Sequence, residues 1–206
     1  MVAVEARGSR PMRADAVRNR QRVLDAARVA FAQSGVTASL DDIARAAGVG
    51  AGTLYRHFPT RDHLVLAVID EGLREIAALG AELRDEDDPV AAFQRWLASY
   101  VAQGGMFDGL ARTLVTPPEA DSDGKDACRA AKAAGADLIT CAVNAGEFGA
   151  DTHIDDVLDM AAAIVWVGEQ PDRDERQQAR LLRILVDGLR IAPAQRGSQG
   201  GARKIT

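Results

Sequence analysis

The sequence predicts an all-α protein of about nine helices, and three observations lead there. Alanine makes up about a fifth of the 206 residues and aromatic residues only 4%, a balance that favours helix over strand. Apolar residues recur at three- and four-residue spacing along most of the chain, and no stretch reads convincingly as a strand. Glycine, proline and acidic clusters interrupt the periodic stretches at helix-like intervals.

Each element can be argued in turn. Residues 1–15 lack periodicity and read as a mobile basic arm. Val23, Leu24, Ala27, Ala30 and Phe31 then form a helical stripe that Ser34-Gly35 ends as a C-cap. Leu40, Ile43, Ala44 and Ala47 define a short second helix, with Ser39 as its N-cap and Asp42 in capping-box position. Gly48-Val49-Gly50 reads as a tight turn, and a third helix over 51–57 points Leu54 and Phe58 inward before Pro59-Thr60 stops it. A long fourth helix over 61–84 carries Val65, Ile69, Leu73, Ile76, Leu79 and Leu83. The run Asp85 to Asp88 precedes Pro89 in the first turn of a fifth helix, which ends at Gly104-Gly105. A short helix over 106–115 and a loop to Gly124 are expected next, then a long alanine-rich helix over 126–147. Asp151 and Thr152 read as caps for a helix running to Val167, and a final helix spans 174–190 with Leu181, Leu182, Leu185, Val186 and Leu189. Residues 193–206, rich in Gly, Gln and Arg, are expected to be a disordered tail.

Charge is divided along this plan. The formal net charge is −5, which by itself argues against a nucleic-acid partner. Residues 1–63, however, hold ten arginines against six carboxylates, a net +4, while the remainder holds 15 bases against 24 carboxylates, a net −9. Such asymmetry is expected when one end of a chain meets phosphates. Two cysteines, Cys128 and Cys141, make neither a disulfide framework nor a metal cluster; on one helix they would stand about 20 Å apart. The longest apolar run, 157–167, is broken by Asp159 and is too short for a membrane span. A soluble, cytoplasmic protein with reduced thiols and no membrane partner is the expectation.

Residues 16–63 hold the most specific signal. A short second helix, a glycine turn and a short third helix make a helix-turn-helix, whose last helix enters the DNA major groove. Gly52 permits close approach to a sugar-phosphate backbone, and Thr53 suits a phosphate oxygen or a thymine methyl. Tyr55 and His57 present polar tips for phosphates, and Arg56 reaches a guanine edge or a phosphate. Thr37 and Ser39 precede the second helix, and Thr60 and Arg61 the fourth, where unsatisfied N–H groups favour anions. The bland alternatives stand beside these readings: Leu54 and Phe58 are core, Ser39 serves equally as a cap, and Arg56 as a solvated charge.

The stretch SLDDIARAAGVGAGTLYRHFPTRDHL, from Ser39 to Leu64, closely resembles the TetR family of bacterial transcriptional repressors. The resemblance lies in Ile43-Ala44, Ala47-Gly48-Val49, Gly52-Thr53-Leu54-Tyr55, His57-Phe58 and Leu64, with Ala30-Phe31 and Gly35 upstream. It implies that the positions above contact operator DNA and that Ala51, Thr53 and Arg56 set sequence preference. Gly50 departs from the family, which often has serine or another small polar residue there; one possible phosphate ligand is missing, at a capping cost of only a few tenths of a kcal/mol.

The resemblance further implies that residues 64–192 form a helical domain that binds a small-molecule effector and dimerises, releasing DNA when the ligand is present. Phe93, Trp96, Tyr100, Met106, Phe107, Cys128 and Trp166 are the candidate ligand-binding residues, apolar walls with a few polar handles. An aromatic stripe at helical spacing is also ordinary core. The segment 160–167 has no polar residue, so that helix must be buried on all sides, by its own chain or a second copy. Leu158, Ala161, Ala162, Val165, Leu181 and Leu185 are the candidate homodimer interface, as a four-helix bundle. His57, His63 and His153 have no spaced partners, and no Gly-rich loop follows a strand; neither an enzyme nor a cofactor is expected. The rivals are a helical ligand carrier without DNA function, and a regulator that answers a protein or no ligand, with a filled core.

Overall fold

A computed structural model of the chain describes residues 9–105, 122–170 and 172–191. Among these are eight α-helices and no strand: α1 Ser9–Ser34, α2 Leu40–Ala46, α3 Ala51–His57, α4 Arg61–Leu83, α5 Pro89–Gly104, α6 Ser122–Asn144, α7 Ile154–Gly168 and α8 Glu175–Leu189. The all-α architecture is as expected. The short helix over 106–115, residues Met106 and Phe107, and the tail lie outside the described residues. The chain divides into two compact units, Met1–Ile69 and Asp70–Thr206, so the division falls inside α4 rather than at its start.

In the first unit, α1 packs against both α2 and α3. Val23, Leu24, Ala27 and Phe31 from α1 meet Ile43, Ala44, Leu54 and Phe58 in a wholly apolar core. The helix starts at Ser9, earlier than the arm boundary at 15. Pro11 falls in its first turn, where its missing N–H costs nothing, and an ion pair between Arg18 and Asp15 one turn apart supports the exposed stretch. Gly35 and Gly48 take positive φ, the left-handed backbone that glycine adopts without strain: one ends α1, the other turns the chain from α2 into α3. Ser39 caps α2 as its sequence suggests, its hydroxyl accepting the Asp42 N–H at 3.3 Å.

In the second unit, α5 packs against α6, α7 and α8, and α7 against α8. Asp88 caps α5, accepting the N–H groups of Val90 and Ala91 at 3.0 Å each. Trp96, completely buried, is the centre of this core. Its ring stacks on Phe93 and Tyr100 at centroid distances of 6.0 and 5.6 Å, and Phe148 meets Phe93 edge-on at 5.4 Å. Gly80 of α4 and Gly135 of α6 make room for the indole: a Cβ on Gly135 would overlap Cη2, and one on Gly80 would lie 3.2 Å from Cδ1. After α8 the chain folds back on the turn following α6, with Gly149 donating to Leu189 O at 3.1 Å and Ile191 to Glu147 O at 3.0 Å.

Three details differ from expectation. On α4, Leu73, Ile76 and Leu83 are buried as predicted, but in the first half of the helix Leu64 and Val68 are buried in place of Val65 and Ile69, one residue earlier, and Leu79 is not among the buried residues. Residues 122–124, expected as loop, open α6. The N-cap of α7 is His153, with no side-chain bond to the helix, so Asp151 and Thr152 do not cap it; Asp155 and Asp156 in the first turn complement its dipole instead.

Candidate nucleic-acid interface

α3, the helix expected to enter the DNA groove, is seven residues long, and Leu54 is its buried anchor. Ala51, Gly52, Tyr55 and Arg56 are exposed, while Thr53 and His57 are half-buried. A Cβ on Gly52 or on the N-cap Gly50 would meet nothing within 4 Å, so the backbone lies bare at the helix start. Tyr55, with 46% of its surface accessible, is a large side chain held outside the core beside Arg56. The His57 ring tilts against Phe58 at 6.3 Å, which fixes it at the helix end.

The flanking positions divide by their hydrogen bonds. A phosphate oxygen accepts and never donates, so a side chain must have a donor to offer it. Ser39 accepts from the α2 backbone and keeps its own proton for an outside acceptor. Thr37 donates its hydroxyl to Ser34 O at 3.3 Å, which commits that proton internally. Thr60 caps α4, accepting the His63 N–H at 3.3 Å with Nδ1 of that ring 2.7 Å away.

Arg61 has a structural role beside its predicted one. Its Nη1 donates to Val36 O at 2.8 Å and to Ala38 O at 2.5 Å, tying the start of α4 to the 3-10 turn Gly35–Thr37 before α2. These bonds commit Nη1 to backbone carbonyls and leave the other N–H groups of the guanidinium to other acceptors. Asp41 and Asp42 in the first turn of α2 add negative charge beside Ser39, and Arg45 neutralises Asp42 at 2.6 Å.

The ligand and dimer candidates of the second unit are also rearranged. Phe93, Trp96 and Tyr100 are enclosed together in the aromatic column, and Cys128 is half-buried on α6. Burial, then the nearby Cys128 thiol and Asp159 carboxylate, push the Tyr100 hydroxyl up to about 12. Trp166 does not join them: it is 51% exposed on the outer side of α7.

Ala161, Ala162 and Val165 are buried by the protomer's own core and present no surface to a second copy. Met160, Trp166 and Ile184 are instead the large exposed apolar residues of α7 and α8, at 52%, 51% and 66%. Leu158, Leu181 and Leu185 are half-buried. A segment apolar on all sides gives no sign of which stripe turns inward, so Met160 escapes sequence reasoning; Ile184 falls outside the stripe read on α8. Arg20 and Arg22 read from sequence as arm arginines for a minor groove or for nonspecific affinity; what sequence does not give is their seats beside Gly48 and Phe58, which only the fold brings together.

Comparison with known proteins agrees with this geometry. Residues 23–68 match the family described as bacterial regulatory proteins, tetR family. Residues 88–191, half of the chain, match the C-terminal domain of SbtR-like transcriptional regulators. The structure of the TetR transcription regulatory protein from Mycobacterium vanbaalenii is 34% identical, covering 88% of this chain and all of that one, with a TM-score of 0.65. That of the TetR transcriptional regulator SCO0520 from Streptomyces coelicolor is 31% identical over 83% of this chain and 98% of the other, with a TM-score of 0.67. Among curated relatives, the HTH-type transcriptional regulator SAB2452 of Staphylococcus aureus is 38% identical over 76 residues, which span 36% of this chain and only 41% of that protein. With a helix-turn-helix at one end and a matching regulatory domain at the other, this DNA-binding chain belongs to the TetR family of transcriptional regulators.

Proposed function

We propose that the chain is a ligand-responsive repressor that binds a palindromic operator as a homodimer and leaves it when a small molecule is bound. The observation that carries the reading is the bare, outward surface of α3, where Tyr55 and Arg56 stand exposed beside the open Gly52. Ala51, Thr53 and Arg56 are the base-reading positions, and Ser39, Tyr55 and His57 contact phosphate. The exposed apolar face of α7 and α8 joins two copies, so that two recognition helices address half-sites about 34–36 Å apart. The effector meets the core near Tyr100 and Cys128, where polar atoms approach the aromatic column.

Fluorescence anisotropy tests this with DNA flanking the protein's own gene, beside scrambled DNA, across a salt series. Tight, selective binding that the Tyr55→Ala, Arg56→Ala variant loses is the expected result. Equal, weak and steeply salt-dependent binding to both DNAs would reduce the interface to a basic surface. The complete enclosure of Trp96 favours one second reading, a regulator whose core is filled and which answers no small molecule. A thermal-shift screen separates the two, since a ligand of the native state raises Tm and a filled core responds to none.

A further inference from the structure

The described arginines of the first unit differ in what already occupies them. Arg18 is paired with Asp15, Arg45 with Asp42, and Arg61 with two backbone carbonyls. Arg20 and Arg22 have no carboxylate partner among the described residues, yet neither is loose on the surface. The Arg22 guanidinium lies directly over Gly48, so close that a Cβ there would overlap Nη2. The Arg20 guanidinium carbon sits 5.5 Å from the centre of the Phe58 ring, a cation–π distance.

Gly48 lies in the turn that leads into the recognition helix, and Phe58 immediately follows that helix. Two unneutralised, donor-rich forks are therefore seated at the two ends of α3 by a helix that packs on both halves of the helix-turn-helix. Major-groove entry places the two phosphate backbones on either side of a recognition helix. A guanidinium, planar and multiply donating, matches a phosphate's oxygens.

We propose that Arg20 and Arg22 of α1 form a two-point phosphate clamp at the ends of the recognition helix, which positions the DNA backbone and carries no sequence information. The clamp rests on the DNA-binding reading above and adds to it a part of α1. Gly48 serves it twice: its positive φ makes the turn, and its missing side chain is the seat of Arg22. Arg20, held on an aromatic face, keeps a fixed aim while its edge N–H groups remain for a phosphate.

The experiment measures binding of the full chain to a random-sequence duplex and to a duplex from the region flanking its gene, between about 50 and 200 mM salt. Wild type, Arg20→Gln, Arg22→Gln and the corresponding lysine variants are compared after their melting curves have been recorded. Each glutamine variant is expected to lower the steepness of log K against log salt by about 0.9 for every phosphate it no longer neutralises. Affinity should fall by the same factor on both duplexes, and the lysine variants should keep the wild-type slope. Unchanged slopes in the glutamine variants, or a weakening confined to the gene-flanking duplex, would overturn the clamp while leaving DNA binding intact. A lysine variant that melts like wild type yet has the shallower slope would overturn it as well. Absence of binding by wild type at the lowest salt would instead remove the DNA reading on which the clamp depends.

Discussion

Trp96 keeps its place because two neighbouring residues have no side chain. Gly135 is the tighter of the two seats, since a methyl there would overlap the far edge of the indole. Gly135→Ala is therefore expected to destabilise the protein by about 1–3 kcal/mol through overpacking, read from urea denaturation. In a Trp96→Phe background, where the ring no longer reaches that point, the added penalty should shrink, and a double-mutant cycle would expose the coupling. Tyr100, stacked on the same indole, gives a second prediction at this scale. Burial favours its neutral phenol and pushes its pKa up to about 12, above the value of about 10 expected in the unfolded chain. A raised pKa on an acid means that the folded state holds its proton longer. The stabilisation is complete below about pH 10 and is lost as pH rises towards 12, because the unfolded chain then ionises first. Denaturation midpoints measured across that window should fall more steeply for wild type than for Tyr100→Phe.

Between residues and the whole lie the helices, and here the sequence is informative in an uneven way. Caps and turns are readable because they rest on local chemistry. Ser39 accepts the Asp42 N–H and Asp174 accepts the Gln177 N–H at 2.7 Å, and each is named by its own neighbours in the chain. Gly48 at its positive φ is of the same kind. Arg61 is the opposite case. Its partners, Val36 and Ala38, are more than 20 residues away, so a cation that reads as a phosphate ligand at the start of a helix is also a tie between elements. The expected consequence is specific. Arg61→Gln should lower stability by about 1.5–3 kcal/mol, the range for a hydrogen bond to a charged group, with helix content retained in circular dichroism below the transition. The salt slope of DNA binding should stay at its wild-type value, which separates Arg61 from a true phosphate ligand.

For the whole molecule, the question that sequence leaves open is which side of α7 turns inward. Both helices are legible, but a segment with no polar residue from Met160 to Val167 carries no periodic mark of its own. Packing against α5 decides the matter by burying Ala161, Ala162, Ile164 and Val165, and Met160, Trp166 and Ile184 are left outside. Large apolar side chains left outside on two packed helices expose surface that water disfavours, and under the homodimer proposed above a second copy related by a two-fold axis covers it. A charge introduced there should then act on assembly and not on folding, because the substituted side chains contribute little to the protomer's core. Trp166→Glu and Ile184→Glu together are expected to shift the protein to monomer in sedimentation equilibrium, with its helical signal unchanged. The companion substitution Val165→Glu, one residue away in sequence but inside the core, should instead unfold the chain. If the surface pair left the dimer intact, the two-fold interface would lie elsewhere. If the pair gives a folded monomer, binding to a two-half-site operator should weaken far more than binding to random DNA. The selectivity of a dimer comes from tethering two recognition helices at one effective concentration, whereas the phosphate interactions of each protomer survive its separation.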